Sequence, residues 1–494
     1  MNNNDEDLIN IDGIDRVFSR RRMLIVLLMP LVLGMMSISA INVALTAIEQ
    51  GIGASASQIQ WLLSGYALTF GIVLVAAGRI GDVLGRGALF VIGMTIFGCA
   101  SLACGLSNDP NLLNAARFVQ GLGTGLAAPQ SNGMIVQYFA GQARARAFAL
   151  FGLAVSVGVS IGPVLTGFLI GTFGPQVGWR ASFLINFPLA LLTVVLALCW
   201  FPFETERRTR AARRAGTHVR QKIDLDPIGM IVLMVAVLGI MVPFMLRTSV
   251  AWLLLPAGLA ILAGWISWER AYKRRGRAPM VDLDLFKIKS FTNATAVGAV
   301  NFLGSTSIFM VLMLFMQQGL QASAMQTGLI GLPNAFISAI GALWAGKHVL
   351  RKGRTLSIWG MALSVITMVL LIAVTGLVAD GKLNVWWMGV ILMIQGWGIG
   401  MFGACNQTLS QLEIVPAVAG TAGGVKQTAE RTATAIGNAM MSSIIFSALP
   451  LGWVTATRLA YGAIALILTV CMLLAIYDLR ALGDPGRGDS RAAA

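Results

Sequence analysis

The chain has 494 residues, 56% of them hydrophobic and 12% charged, with a mean hydropathy of +0.77 and a formal net charge of +15. Soluble domains carry about 25% charged residues, so this composition excludes a water-soluble enzyme or nucleic-acid-binding domain and points to an integral membrane protein. The positive charge then belongs to the segments that join apolar spans. Its partners are membrane lipids, anionic headgroups at the most basic joins, and no nucleic acid.

A membrane-crossing helix needs about 20 mostly apolar residues. Windows of that kind predict spans over 23–49, 58–79, 88–106, 111–137, 146–172, 181–202, 227–246, 251–269, 291–317, 324–346, 355–378, 385–409, 417–447 and 453–477, fourteen in all. The first exceeds a signal-peptide core and lacks a small-residue cleavage site, so it is read as retained. Positive residues check the count independently, because short cytoplasmic joins collect Lys and Arg. On one side lie DRVFSRRR, GRIGDVLGRG, GQARARA, ETERRTRAARRAGTHVRQK, ERAYKRRGRAP, GKHVLRKGRT and the tail RALGDPGRGDSR; the opposite joins hold only Arg180, Arg247 and Lys382. Both termini are thus expected in the cytoplasm, with the chain in the cell membrane. The five cysteines lie in apolar runs without CxxC spacing, so neither a disulfide framework nor a zinc site is expected.

Gly78 is followed by Gly85-Arg86 after the second span, and Gly346 by Gly353-Arg354 after the tenth, at the same spacing. With the hairpin 227–269 set aside, six spans precede it and six follow, and the two turns occupy equivalent places. Paired halves of this kind are the sequence signature of secondary transporters, whose sites lie between the halves near the midplane. The expected fold is all-α: a tail 1–22, a six-helix half 23–202, a basic loop 203–226, an inserted hairpin 227–269, a second basic loop 270–290, a six-helix half 291–477 and a tail 478–494.

Further motifs follow in order. GRIGDVLGRG presents Gly78, Asp82, Gly85 and Arg86; RFVQGLGTG presents Arg117, Gln120 and Gly121; GVSIGPVLTG presents Gly158, Gly162, Pro163 and Gly167. GWRASFLINFPLAL holds Trp179, Arg180, Phe183, Asn186 and Pro188, and GVKQTAERTATAIG holds Gly424, Gln427, Arg431 and Gly437. This ordered set resembles the major facilitator superfamily and, within it, the fourteen-span drug:proton antiporter family. The resemblance implies that family's fold, two six-helix halves plus the inserted hairpin, and export of small amphiphilic molecules by proton antiport. It implies no cofactor, the proton being the coupling ion. Asp82 is expected to bias a two-state equilibrium, with the next helix of its own half offering a positive end and with Arg86 and Arg144 or Arg146 as neighbours. The glycines around Pro163 serve close helix packing in any membrane bundle; in the family they seal the pathway.

Charges inside spans are costly and mark functional positions. Here they are Arg117, Lys426, Arg431, Arg458 and the single acid Glu430. Arg458, near a helix end, suits snorkelling. Glu430 stands four residues after Lys426, so an ion pair competes with a proton-carrier role; the resemblance gives Arg117 a part in proton transfer or in the closed gate, and Arg431 is grouped with these two. In the first span the acid often found in the family is Ser37. That departure weakens a preference for cations and favours neutral or anionic amphiphiles. Candidate substrate contacts are Trp61, Tyr66, Phe70, Asn301, Phe309, Gln317, Trp397 and Asn406. Export or uniport of an endogenous metabolite or lipid-like compound, and a non-transporting sensor or scaffold, are the alternatives. An enzyme is not expected, since His218 and His348 sit in basic loops without ligand spacing, and no GxxxxGK[ST] loop for ATP is present. The oligomeric state leaves no mark in the sequence.

Overall fold

A computed structural model describes residues 8–11, 14–203, 224–246 and 250–487. The basic segment 204–222, Arg247 and residues 488–494 of the C-terminal tail fall outside the described residues. The all-α expectation needs one correction: strands β1 (Leu8–Ile11) and β2 (Ile14–Ser19) pair antiparallel before the first helix. Ile9 and Phe18 are buried in the largest apolar cluster, which is what holds this ribbon.

The helices are α1 (Arg20–Ile52), α2 (Ala56–Leu84), α3 (Arg86–Leu106), α4 (Pro110–Tyr138), α5 (Gly141–Leu184), α6 (Asn186–Trp200), α7 (Pro227–Leu246) and α8 (Leu254–Arg274). They continue as α9 (Lys289–Ser305), α10 (Ser307–Leu314), α11 (Ala324–Leu329), α12 (Leu332–Ala379), α13 (Trp386–Ser410), α14 (Ala419–Ala448) and α15 (Trp453–Leu482). Local chemistry sets the breaks. Gly53 ends α1 in the left-handed region, Ser55 and Gln58 form a capping box on α2, and Asp109 caps α4 just before Pro110. Gly85, at φ 118°, separates α2 from α3. Inside α5 the helical path breaks at Gly174, and inside α12 at Lys352.

Eleven helical stretches among the described residues are long and apolar enough to cross a membrane. α4 is not among them, and it buries Arg117, Gln120, Thr124, Gln130, Ser131 and Asn132. Such a helix is stable in a bilayer only when its polar face is turned into the protein.

Small residues bring the helices close. A Cβ on Gly158 of α5 would stand 2.5 Å from the Val32 carbonyl oxygen of α1, and one on Gly162 would stand 2.7 Å from that of Met36. Gly167, by contrast, has only a Val43 methyl at 4.0 Å. Between halves, α2 meets α14, where a Cβ on Gly424 would lie 2.5 Å from the Leu74 carbonyl oxygen. α5 meets α12, with Gln142 donating to the Gly346 carbonyl at 2.9 Å and Ser156 hydrogen-bonded to Ser338 at 3.1 Å. α7 and α8 pack on each other through Gly239 and Gly258, and α7 lies against α2, where Gln60 donates to the Met245 carbonyl.

The join after α8 is less of a free basic loop than its composition suggests. Met280, Val281 and Leu285 are buried. Lys273 binds Asp282 at 2.7 Å and also Asp284, while Lys287 binds Asp284 at 2.6 Å. These two lysines hold the Asp284 carboxyl down at about 2.

The contrast between the two glycines of α5 yields an expected outcome. Gly162→Val should lower the melting temperature and folded yield of the purified protein, an overpacking cost of about 1–3 kcal/mol. Gly167→Val should leave both unchanged, and equal losses would refute the α1–α5 packing.

Candidate functional site

Asp82 lies in the last turn of α2, with its side chain 1% exposed. Its Oδ1 accepts from Arg86 Nη2 at 2.6 Å, Arg86 Nε at 3.0 Å and the Gly420 amide at 3.0 Å. Its Oδ2 accepts from the Thr421 amide and the Thr421 hydroxyl, both at 2.8 Å. Gly420 and Thr421 open α14, so the carboxylate sits where the free amides and positive dipole end of that helix converge. Gly78 permits the approach, because a side chain there would overlap the Gly420 carbonyl. Arg86 also donates to the Gly133 carbonyl at 3.1 Å, to Gln137 and to the Pro416 carbonyl.

Two expectations for Asp82 are corrected. The helix end that binds it comes from the opposite half of the chain, not from its own. Arg144 donates instead to the Val136 and Phe139 carbonyls that end α4, and Arg146 is exposed; Arg86 alone of the three reaches the carboxylate. The repeated turn at Gly346–Arg354 works differently. Arg354 is buried and pairs with Asp478 of α15 at 2.8 Å, within its own half, while its amide and that of Thr355 donate to Asp484.

Farther along α14, Lys426 and Glu430 form a buried ion pair at 2.5 Å. Glu430 is about 16 Å along the helix from its start, at a rise of about 1.5 Å per residue. Lys426 Nζ also donates to Gln407 at 2.8 Å, and Gln407 in turn donates to Asn132 of α4 at 2.9 Å. Asn406 and the Glu430 carboxylate both face Gly298 of α9. The charge network thus spans α4, α9, α13 and α14.

A second cluster surrounds Arg117, which is 0% exposed. Its Nη1 donates to Ser37 Oγ at 2.9 Å and Gln120 Oε1 at 2.7 Å, and its Nε to the Leu62 carbonyl at 3.4 Å. The guanidinium lies 4.5 Å from the Tyr66 ring centroid and 5.7 Å from that of Phe183. No carboxylate is among these partners: Ser37 fills the place. Arg431 lies 5.1 Å from the Phe70 ring centroid, with Nη2 3.7 Å from Met35 Sδ.

The other sequence candidates divide. Tyr66 and Phe70 join the arginines, and Asn406 joins Glu430. Asn301 is buried on α9 and accepts from Ser305. Trp61 stacks on Phe118 at 5.8 Å. Phe309 lies beside Gly331, Trp397 stacks on Trp344 at 5.9 Å, and Gln317 is exposed in a π-helical turn after α10; none of these three is brought to the charged clusters. Arg458 is exposed and donates to the Ile372 carbonyl at 3.0 Å. Residues the sequence did not single out are Gly420, Thr421, Gln407, Asn132 and Met35. Pro416 just ahead of a helix start was the available signal for the first two. No group of three or more His, Cys, Asp or Glu among the described residues could hold a metal ion.

Two helical sets meeting through a carboxylate clamp, over an interior lined with buried charge, define a membrane carrier. Residues 27–438 match the Major Facilitator Superfamily, and the chain belongs to that superfamily. A probable actinorhodin transporter of Streptomyces coelicolor is 30% identical over 83% of this chain and 70% of its own length. Multidrug resistance protein Stp of Mycobacterium tuberculosis is 26% identical over 84% of this chain and 73% of its own. Among solved structures, the proton:xylose symporter XylE superposes with a TM-score of 0.67 at 15% identity, covering 94% of this chain and 95% of that one. The protein is therefore an integral membrane transporter of the superfamily, with a small-molecule substrate.

Removing one member of the buried pair should be worse than removing both. Lys426→Met leaves Glu430 without its counter-charge, at about 3–5 kcal/mol. The double variant Lys426→Met/Glu430→Gln should recover most of that loss in a thermal melt of purified protein. A double variant no more stable than Lys426→Met would contradict the pairing.

Proposed function

We propose that the chain exports small amphiphilic molecules, drugs among them, in exchange for protons, by alternating access between two six-helix halves. The interaction that carries this proposal is the Asp82 carboxylate bound to the start of α14: contacts across the halves close one end, and they must break for that end to open. The basic joins assign this end to the cytoplasm, along with both termini, so the conformation is closed to the cytoplasm. On this reading Gly174 and Lys352 are turns and α4 is a polar span, which supports fourteen crossings with α7 and α8 as the inserted hairpin. Gly158 and Gly162 hold α5 against α1, with Pro163 buried beside them, and seal the pathway at that seam; Gly167 has no such contact. The names of the relatives, one a multidrug resistance protein and one a probable actinorhodin transporter, support a cargo of this class.

Glu430 is the proton carrier. Among the described residues it is the buried acid farthest inside a span, and its protonation removes the counter-charge of Lys426, which links α14 to α13 and through Gln407 to α4. Arg117 and Arg431 flank the route. Ser37 favours a second reading, uniport, because the usual first-span acid is missing.

In liposomes with an imposed proton gradient, adding an amphiphile should trigger proton flux in the native protein and none with Glu430→Gln. Flux retained in the variant would move coupling elsewhere, and substrate movement without proton flux would establish uniport. Asp82→Asn loses charge-assisted hydrogen bonds worth about 1.5–3 kcal/mol each. Insertion should persist, while spin labels at positions 146 and 347 should report a closed population reduced at least about tenfold; an unchanged distance distribution would refute the clamp.

A further inference from the structure

We propose that Arg117 and Arg431 recognise the acidic group of an aromatic anion, so that the cargo supplies the negative charge this chain omits at position 37. This names the substrate class of the export function proposed above and rests on it.

The donors of Arg117 are met by neutral acceptors only: the Ser37 hydroxyl and carbonyl, the Gln120 amide oxygen and the Leu62 carbonyl. Its Nη2 is buried and finds no acceptor among the described residues. A guanidinium removed from water without a counter-ion is held at a cost of several kcal/mol. Arg431 is half-buried, yet its Nε is buried without an acceptor among the described residues, and its Nη2 reaches the Met35 thioether. Glu430 precedes it in the chain, but that carboxylate is engaged by Lys426 and faces Gly298. Three cations and one carboxylate therefore share this interior.

Between the two arginines stand two rings. Arg117 lies over Tyr66, Tyr66 and Phe70 are 6.1 Å apart, and Arg431 lies over Phe70. The row runs beside α1 at Met35 and Ser37. A guanidinium fork binds a carboxylate through two parallel hydrogen bonds, and aromatic and thioether walls suit a flat apolar body. A cationic cargo would meet two cations without carboxylates and be rejected. Arg117 belongs to one half and Arg431 to the other, so a ligand touching both binds across the seam that opens and closes.

The test uses the full chain in nanodiscs and three probes that share one ring system: 1-pyrenecarboxylate, 1-pyrenemethanol and 1-pyrenemethylammonium. The anion should bind at least about tenfold more tightly than the alcohol, and the ammonium more weakly than either. Ser37→Asp places a carboxylate beside Arg117. It and Arg431→Gln should each weaken anion binding about tenfold or more while changing alcohol binding less than about threefold. Equal affinities for the three probes, no binding of the anion, or an anion preference that survives both substitutions would overturn the proposal. Selective anion binding without movement in liposomes would instead remove the export function and leave the site standing; transport with no charge preference would remove the site alone.

Discussion

One carboxylate joins the end of α2 to the start of α14, far apart in the chain. Asp82 takes five donors, two from Arg86 beside it and three from the first residues of α14, the second set standing 338 and 339 positions along the chain from the acceptor. Each side of this contact would be costly alone. A helix start buried between helices leaves amides unsatisfied, and a carboxylate withdrawn from water needs its full complement of donors. Bringing them together settles both costs, and it requires that the two backbones approach without side chains between them. Gly78 and Gly420 meet that demand, each lying where a Cβ would collide with the other element.

The internal repeat does not double this clamp. Arg86 and Arg354 occupy equivalent turns and both are buried, but Leu350 stands where Asp82 stands in the first half. Arg354 therefore draws its acids from α15 and the residues just after it, and Gly483 supplies a carbonyl at 2.8 Å. The second turn is satisfied within its own half, so breaking the seam disturbs one ionic centre and not two. An all-or-none opening needs only that one centre to be bistable.

Much of this was legible in the sequence for physical reasons. Apolar windows and alternating positive joins locate helices because the bilayer penalises anything else; Gly174 and Lys352 fall within predicted joins although the helix runs on around them. The pair Lys426–Glu430 was legible because four residues is one helical turn, and Asp82–Arg86 because one short charged turn holds both. Contacts between distant helices were not. Nothing local to Asp82 names α14 as its partner, and Arg144, in the first turn of α5 of the same half, turns back to carbonyls instead. Residue type also carries no direction: Trp397 and Gln317 are as aromatic or polar as Phe70 and Asn406, yet they lie on other faces. The strands at 8–19 are too short for periodicity to reveal, and burial of Ile9 and Phe18 is what fixes them.

The serine at position 37 gains a physical sense from the sign of the membrane potential. A cation leaving a cell that is negative inside moves against the field, so its exporter needs acids that trade it for protons. An anion leaving moves with the field, at about 2.3 kcal/mol per charge for each 100 mV. In the exchange proposed here a proton entering on Glu430 would move with it too, so for the proposed anionic cargo the two steps would add and not oppose one another. A first-span acid would neutralise Arg117 and remove the guanidinium that such a cargo needs. Its replacement by a hydroxyl keeps Arg117 hydrogen-bonded and oriented through Ser37 and Gln120 while leaving its charge unspent. The residue that makes the chain a poor match to a cation exporter is thus the one that an anion exporter requires.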